Sequence, residues 1–250
     1  MAVLKSIYRY PVKGLSPECL SRTRLEPGQT LPADRRYAIE NGPSGFDPAA
    51  PSYLPKSRFL MLMRNERLAQ LDTDYDDATQ TLVIRHEGGE AARGDLSTRE
   101  GRLAIEAFIR RFMPAELHGA PKMLHADGHS FSDVAAKVVS IINLASVAAI
   151  ETMTGAPVHP LRFRANLYVD GWPAWREFDL VGQEIAIGDA RLKVTKRITR
   201  CAAINVDPDT GIRDLSILAT LMQNFDHMDC GIYAQVSAGG EIAVGDTVSR

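Results

Sequence analysis

Apolar and polar residues alternate with a period of two over much of this chain, and the alternation is punctuated by glycine and proline. Residues 3–12 (VLKSIYRYPV) read as a strand that stops at Pro11, with Lys13-Gly14 in a tight turn where glycine permits close backbone approach. A second strand is expected over 18–25, closed by Pro27-Gly28, and a third opens at Asp34-Arg35-Arg36-Tyr37. Adjacent arginines on a strand point to opposite faces, so only one of that pair can serve a given site. TLVIRH (81–86) predicts another strand, with a hairpin tip at Gly88-Gly89 followed by polar chain. Over 99–113 the period changes: Leu103, Ala107, Phe108, Arg111 and Phe112 recur at helical spacing until Pro114. VVSII (138–142) leads into a helix capped by Asn143 and ended by Gly155 and Pro157.

Leu161 to Val169 predicts a strand with Phe163, Ala165, Leu167 and Val169 on one face and Arg162, Arg164, Asn166 and Tyr168 on the other. Two guanidiniums and an amide in line could hold a phosphate, although a solvated strand face has the same pattern. Further strands are expected over 184–199, 231–238 and 241–250, with a helix near 214–224. The fold class is therefore α+β, predominantly antiparallel β, with a few packed helices. Residues 42–57, with Pro43, Pro48, Pro51 and Pro55, form a long irregular segment of the kind that is often functional.

At 250 residues, 45% hydrophobic and 24% charged, the chain can hold one large β-rich domain or two ordinary ones. A net charge of -2 gives no global reason to bind nucleic acid or an anionic membrane, so any anion must meet a local basic cluster. Cys19, Cys201 and Cys230 are odd in number and far apart, which argues for a reducing compartment over a disulfide framework. No signal peptide or membrane-spanning run is visible, and a cytoplasmic location is expected. His125 and His129 are four apart but enclose Gly128, so a loop is expected there, not a metal-bearing helix.

The most informative stretch is RLKVTKRITRCAAINVDPDTG (191–211). Leu192, Val194 and Ile198 share one face; Lys193, Thr195, Arg197 and Thr199 share the other, and Cys201 falls with the cations. Arg197, and Arg200 if a bulge turns it, would favour thiolate, the form that binds soft metals. The alternative is a small buried hydrophobe that happens to follow basic residues. Asp207 to Gly211 reads as a turn fixing the end of this strand.

YPVKG (10–14), DRRYAI (34–39), RFRANLYVDG (162–171), IGDARLKV (187–194), TRCAAINVDPDTG (199–211) and GIYAQV (231–236) together resemble the MOSC-domain proteins. The likeness is to the branch with an N-terminal MOSC β-barrel region, which includes the mitochondrial amidoxime reducing component and its bacterial relatives. The resemblance implies two parts: an N-terminal MOSC β-barrel region (1–117) and a MOSC domain (118–250). It implies a molybdenum cofactor (molybdopterin), which a preparation can lack, with Cys201 as catalytic metal ligand. Lys13, Arg35, Arg164, Thr199, Arg200 and Tyr233 match positions that hold or line that cofactor. The implied activity is reduction of N-hydroxylated small molecules with electrons from a separate donor protein, because no flavin, haem or iron–sulfur motif is present. No nucleic-acid or membrane partner is expected. Sulfur handling and non-catalytic delivery of the cofactor are the alternatives.

Overall fold

The computed structural model describes all residues, Met1–Arg250. The alternation is realised as fifteen strands, with three α-helices between them. The first half contains β1 (Ala2–Arg9), β2 (Glu18–Leu20), β3 (Arg22–Leu25), β4 (Tyr37–Asn41), β5 (Asp72–Asp76), β6 (Thr81–His86), β7 (Gly89–Asp95) and α1 (Arg99–Phe112). There follow β8 (Pro121–His125), β9 (Val139–Asn143), α2 (Leu144–Thr154), β10 (Leu167–Asp170), β11 (Glu184–Ile187) and β12 (Ala190–Thr199). The chain ends with α3 (Ile217–Phe225), β13 (Asp229–Ala238), β14 (Gly240–Ala243) and β15 (Thr247–Ser249).

Seven strands close into a barrel in the order β10-β9-β13-β12-β11-β15-β1, with β1 pairing back onto β10 and β2 appended to β1. Only β9 and β10 run parallel within it. The first strand thus completes a barrel made otherwise from the last part of the chain, and closure leaves the seven without a free edge. Inward positions of period two fill the interior: Leu4, Ile141, Leu167, Val169, Leu192, Val194, Ile232 and Ala234 are all fully buried. A second core lies between the β4–β8 pair, the β5-β6-β7 meander and α1. A third packs α2 and α3 against the outside of the barrel around Ile142 and Tyr168. Asn143 caps α2 as expected, its side chain accepting from Ala145 N at 3.1 Å, and Gly155 ends it at φ 69°.

Several expectations are corrected. Residues 18–25 form two strands, β2 on β1 and β3 on β14, because the chain changes sheets at Ser21. Arg35 and Arg36 lie in a turn before β4, Arg35 at φ 51°. They still part company, Arg36 stacking towards Tyr37 outside the cavity described below. β7 went unseen because GEAARGD has no apolar alternation; it is held by pairing to β6. Helix α1 buries Ile105, Phe108 and Ile109, while Leu103 is 48% exposed. Its first turn presses Gly101 against Gly94 of β7 with no room for a Cβ, and this contact fixes its rotation.

The largest departure is at 161–169. Pro160–Phe163 is a 3-10 turn, Arg164 follows in the left-handed conformation (φ 48°, ψ 41°), and strand begins only at Leu167. Pro160 suits the first position of a helical turn, where no N–H is needed. Consequently Arg162 and Arg164 do not share a face. Arg162 is buried in a bidentate pair with Asp214 (2.7 and 2.7 Å) and also donates to Asp207 at 3.0 Å. It is not available as a second phosphate clamp beside Arg164.

Candidate functional site

A cavity of about 350 Å³ opens where the mouth of the barrel meets the second core. Four chain segments deliver six of the seven residues singled out in the sequence, and β13 the seventh, Tyr233. The turn after β1 supplies Lys13, buried, whose Nζ donates to the Phe131 carbonyl at 2.9 Å and to the Asp133 carboxylate. Gly14 sits at φ 87°, and a Cβ there would lie 3.0 Å from Leu60 O, so the turn can reach this depth only with glycine.

The turn before β4 supplies Arg35. Its Nη1 donates to Asp34 Oδ1 at 2.7 Å and its Nη2 to the Arg164 carbonyl at 2.9 Å. The 3-10 turn before β10 supplies Arg164, whose Nη2 donates to the Leu15 carbonyl at 2.8 Å. Both guanidinium carbons lie close to the Tyr10 ring, at 4.3 and 4.2 Å from its centroid. Asp34 holds Arg35 charged: burial alone would lower its pKa, but the neighbouring carboxylate raises it. Arg164 has no such carboxylate, and burial together with Arg35 pushes its pKa down.

The fourth segment is the end of β12. Register shifts against β13 between Val194 and Lys196, and again between Arg197 and Thr199, break the two-residue alternation. As a result Lys196 to Cys201 all line the cavity, whereas Lys193 and Thr195 do not. The expected cationic strand face is replaced by a bulged rim. Thr199 Oγ1 donates to Asp229 Oδ1 at 2.7 Å. Arg200 donates to the Cys230 and Phe163 carbonyls at 2.7 and 2.8 Å, and Arg197 stacks on Phe178 at 4.3 Å. Neither arginine is hydrogen-bonded to Cys201 Sγ. Tyr233 lies under Lys196, whose Nζ is 5.8 Å from the ring. All seven residues singled out in the sequence, Lys13, Arg35, Arg164, Thr199, Arg200, Cys201 and Tyr233, line this one cavity.

Two residues were missed. Lys56 donates to Cys201 Sγ at 3.2 Å and to Asp133 Oδ2 at 3.1 Å. Asp133 thereby bridges Lys13 and Lys56 at the mouth. Burial would raise the Asp133 pKa, but Lys13 and Lys56 outweigh it and hold the carboxylate well below its usual range. Lys13 is displaced downward by burial, only partly offset by Asp133; Lys56 is raised, the pull of Asp133 and Cys201 exceeding the effect of burial. The one signal for Lys56 was the unusual length of the proline-rich segment that carries it.

Cys201 is half-buried, Cys230 is buried with its thiol pushed up to about 12 by burial, and Cys19 is exposed. The cavity lining holds Lys13, Arg35, Lys56, Arg162, Arg164, Lys196, Arg197 and Arg200 against only Asp34 and Asp133. Arg164, Lys196, Arg197 and Arg200 form no ion pair, and the buried Nη2 of Arg200 has no hydrogen-bond partner. Lys196 and Arg197 are exposed, but Arg164 and Arg200 are half-buried, and a partly desolvated cation without an anion is costly, so the inner part of this lining suits an anionic ligand beside a single sulfur.

Residues 1–113 match the MOSC N-terminal beta barrel domain and residues 114–249 the MOSC domain. The chain belongs to the MOSC-domain family. Among its relatives, mitochondrial amidoxime reducing component 2 of Rattus norvegicus is 30% identical over 124 residues, 45% of this chain and 36% of that protein. Molybdenum cofactor sulfurase of Caenorhabditis elegans is 35% identical over 97 residues, 37% of this chain and 13% of the sulfurase. The YUAD protein from Bacillus subtilis aligns over 99% of this chain and 94% of its own, with a TM-score of 0.47 and 12% identity. The matched region spans about a third or less of the length of these two curated relatives. Family membership and these relatives support a molybdenum-cofactor-related function for this MOSC protein. No helix is long and apolar enough to cross a membrane.

Proposed function

We propose that this MOSC protein is a molybdenum-cofactor-dependent oxidoreductase that reduces N-hydroxylated small molecules, such as amidoximes, hydroxylamines and N-hydroxy bases. Electrons would come from a separate redox protein. The observation that carries the reading is the meeting, in one cavity, of a half-buried cysteine with the guanidiniums of Arg164, Arg197 and Arg200, which lack carboxylate partners. The donor set fits the cofactor's chemistry: guanidinium matches phosphate bidentately, and thiolate matches a soft metal. In this reading Lys13, Arg35 and Arg164 hold the pterin and its phosphate, Cys201 ligates the metal, and Thr199, Arg200 and Tyr233 line the site. The bound cofactor supplies the two-electron chemistry that removes oxygen from the N–OH group. The chain's part is to fix the group's orientation. Arg35 is braced by Asp34 and by the Arg164 carbonyl, and Arg164 by the Leu15 carbonyl, so their remaining donors point from rigid supports.

The test is expression in a cofactor-competent host, with elemental analysis, pterin fluorescence and benzamidoxime turnover with a chemical reductant. Wild type should carry molybdenum and turn the amidoxime over. Cys201→Ser should abolish turnover and alter the metal's absorption, because hydroxyl is a harder, poorer donor. A serine variant as active as wild type refutes ligation by Cys201. The match to molybdenum cofactor sulfurase favours a second reading, sulfur handling at the same cysteine. Persulfide on purified Cys201, with no amidoxime turnover, would select it.

A further inference from the structure

Lys56 stands at the start of a 3-10 turn, Lys56–Arg58, that ends the proline-rich segment 42–57. That segment is anchored on both sides of the lysine. Phe46 and Leu54 pack before it, and Phe59 after it, onto the cluster that contains Phe131. The Tyr53 hydroxyl donates to the Asp133 carbonyl at 3.1 Å. The Lys56 side chain is 28% exposed at the mouth, and its ammonium donates to Cys201 Sγ and Asp133 Oδ2 at 3.2 and 3.1 Å. An ammonium has three donors, so one is left for whatever enters the cavity. Arg197 and Arg200, the basic residues nearest Cys201 in sequence, are directed to Phe178 and to backbone carbonyls.

We propose that Lys56 is the positioning and specificity-determining residue of the Cys201 corner. It holds the sulfur towards the cavity and gives any ligand approaching that sulfur a fixed positive neighbour, so that anionic ligands are favoured over neutral ones of the same shape. The proposal rests on the reading above only in taking Cys201 as the reacting corner.

The test needs no cofactor. In full-length Cys19→Ser protein, the rates of alkylation of Cys201 by iodoacetate and by iodoacetamide are measured, with peptide mapping to assign the modified sulfur. Both reagents consume the same thiolate, so the ratio of their rates reports local charge and not the amount of thiolate. Lys56→Gln and Lys56→Ala should lower the iodoacetate-to-iodoacetamide ratio about three- to tenfold, the size expected for removing one charge at short range in a wet site. Lys56→Arg should restore it. Thermal melts establish that each variant is folded; should Lys56→Ala misfold, the glutamine and arginine variants carry the comparison. An unchanged ratio in folded Lys56→Gln overturns the proposal, as does failure of arginine to rescue. Absence of amidoxime turnover in loaded wild type would reject the oxidoreductase reading and leave the ratio unaffected, so the two failures are separable.

Discussion

Replacing Arg162 with methionine tests whether the site is assembled by a clamp at its back. Arg162 lies at the centre of the 3-10 turn that presents Arg164, and its partners Asp207 and Asp214 belong to the segment that follows Cys201. Its side chain is 2% exposed, while those of Asp207 and Asp214 are 20% and 42% exposed. Breaking a fully buried pair by removing one member costs about 3–5 kcal/mol, because the other charge is stranded. Here both carboxylates can regain water, and methionine fills most of the volume, so the cost should fall to about 2–4 kcal/mol. Asp207 also keeps its hydrogen bonds from Thr210 N and Thr210 Oγ1, both 2.9 Å, which limits collapse of its turn. For a chain of this size, about 3 kcal/mol corresponds to a fall in Tm of about 6–12 °C. Calorimetry or urea denaturation of wild type, Arg162→Met and Arg162→Lys measures it, lysine recovering charge but not the fork geometry. A Tm within about 2 °C of wild type in the methionine variant would show that Arg162 holds nothing together.

Other perturbations bear on single features. Arg164→Ala should lower molybdenum and pterin occupancy without unfolding the protein, through loss of a charge-assisted contact worth about 1.5–3 kcal/mol; full occupancy by elemental analysis would leave Arg164 only its structural contacts to Leu15 and Tyr10. Gly231→Ala should destabilise by about 2–4 kcal/mol in urea, since φ is 78° and the new Cβ would fall 2.5 Å from Ile141 O and 3.0 Å from Arg200 Nη2. Glu177 is fully buried and accepts from Asn143 Nδ2 and Ser146 Oγ, both at 2.8 Å, yet burial raises its pKa above that in the unfolded chain. Its contribution is thus complete below the ordinary glutamate range and is lost as pH rises through the elevated folded value. Glu177→Gln cannot ionise, so its urea midpoint relative to wild type should rise between acid and neutral pH; parallel profiles would disprove the assignment.

What could be read in the sequence was local. The inward residues of β12, Leu192 and Val194, declare themselves by period alone, and so does the cap of α2 at Asn143. Membership of one cavity was legible only from the wording of several motifs together, since Lys13, Arg35 and Arg164 each pass singly for surface cations. The bulges that turn Lys196 to Cys201 towards the cavity depend on the register with β13, a pairing between distant parts of the chain. Lys56 and Asp133 sit in segments without periodicity, and nothing in either stretch says that they face each other.

Arg35 and Arg164 are a different case, because there the sequence points the wrong way. Both adopt left-handed backbone conformations, φ 51° and 48°, which cost a non-glycine residue about 1–2 kcal/mol each. Arginine there predicts continuing strand, as the alternation of 161–169 did. Glycine or asparagine would relieve either turn but would remove a guanidinium from the cavity. Arg35 and Arg164 are linked directly, Arg35 Nη2 donating to the Arg164 carbonyl, and both approach Tyr10, so each strained turn helps to fix the other. Local propensity fails at these two positions because the side chain is needed where the backbone would prefer none, and the barrel and its second core supply the stability that holds both turns in place.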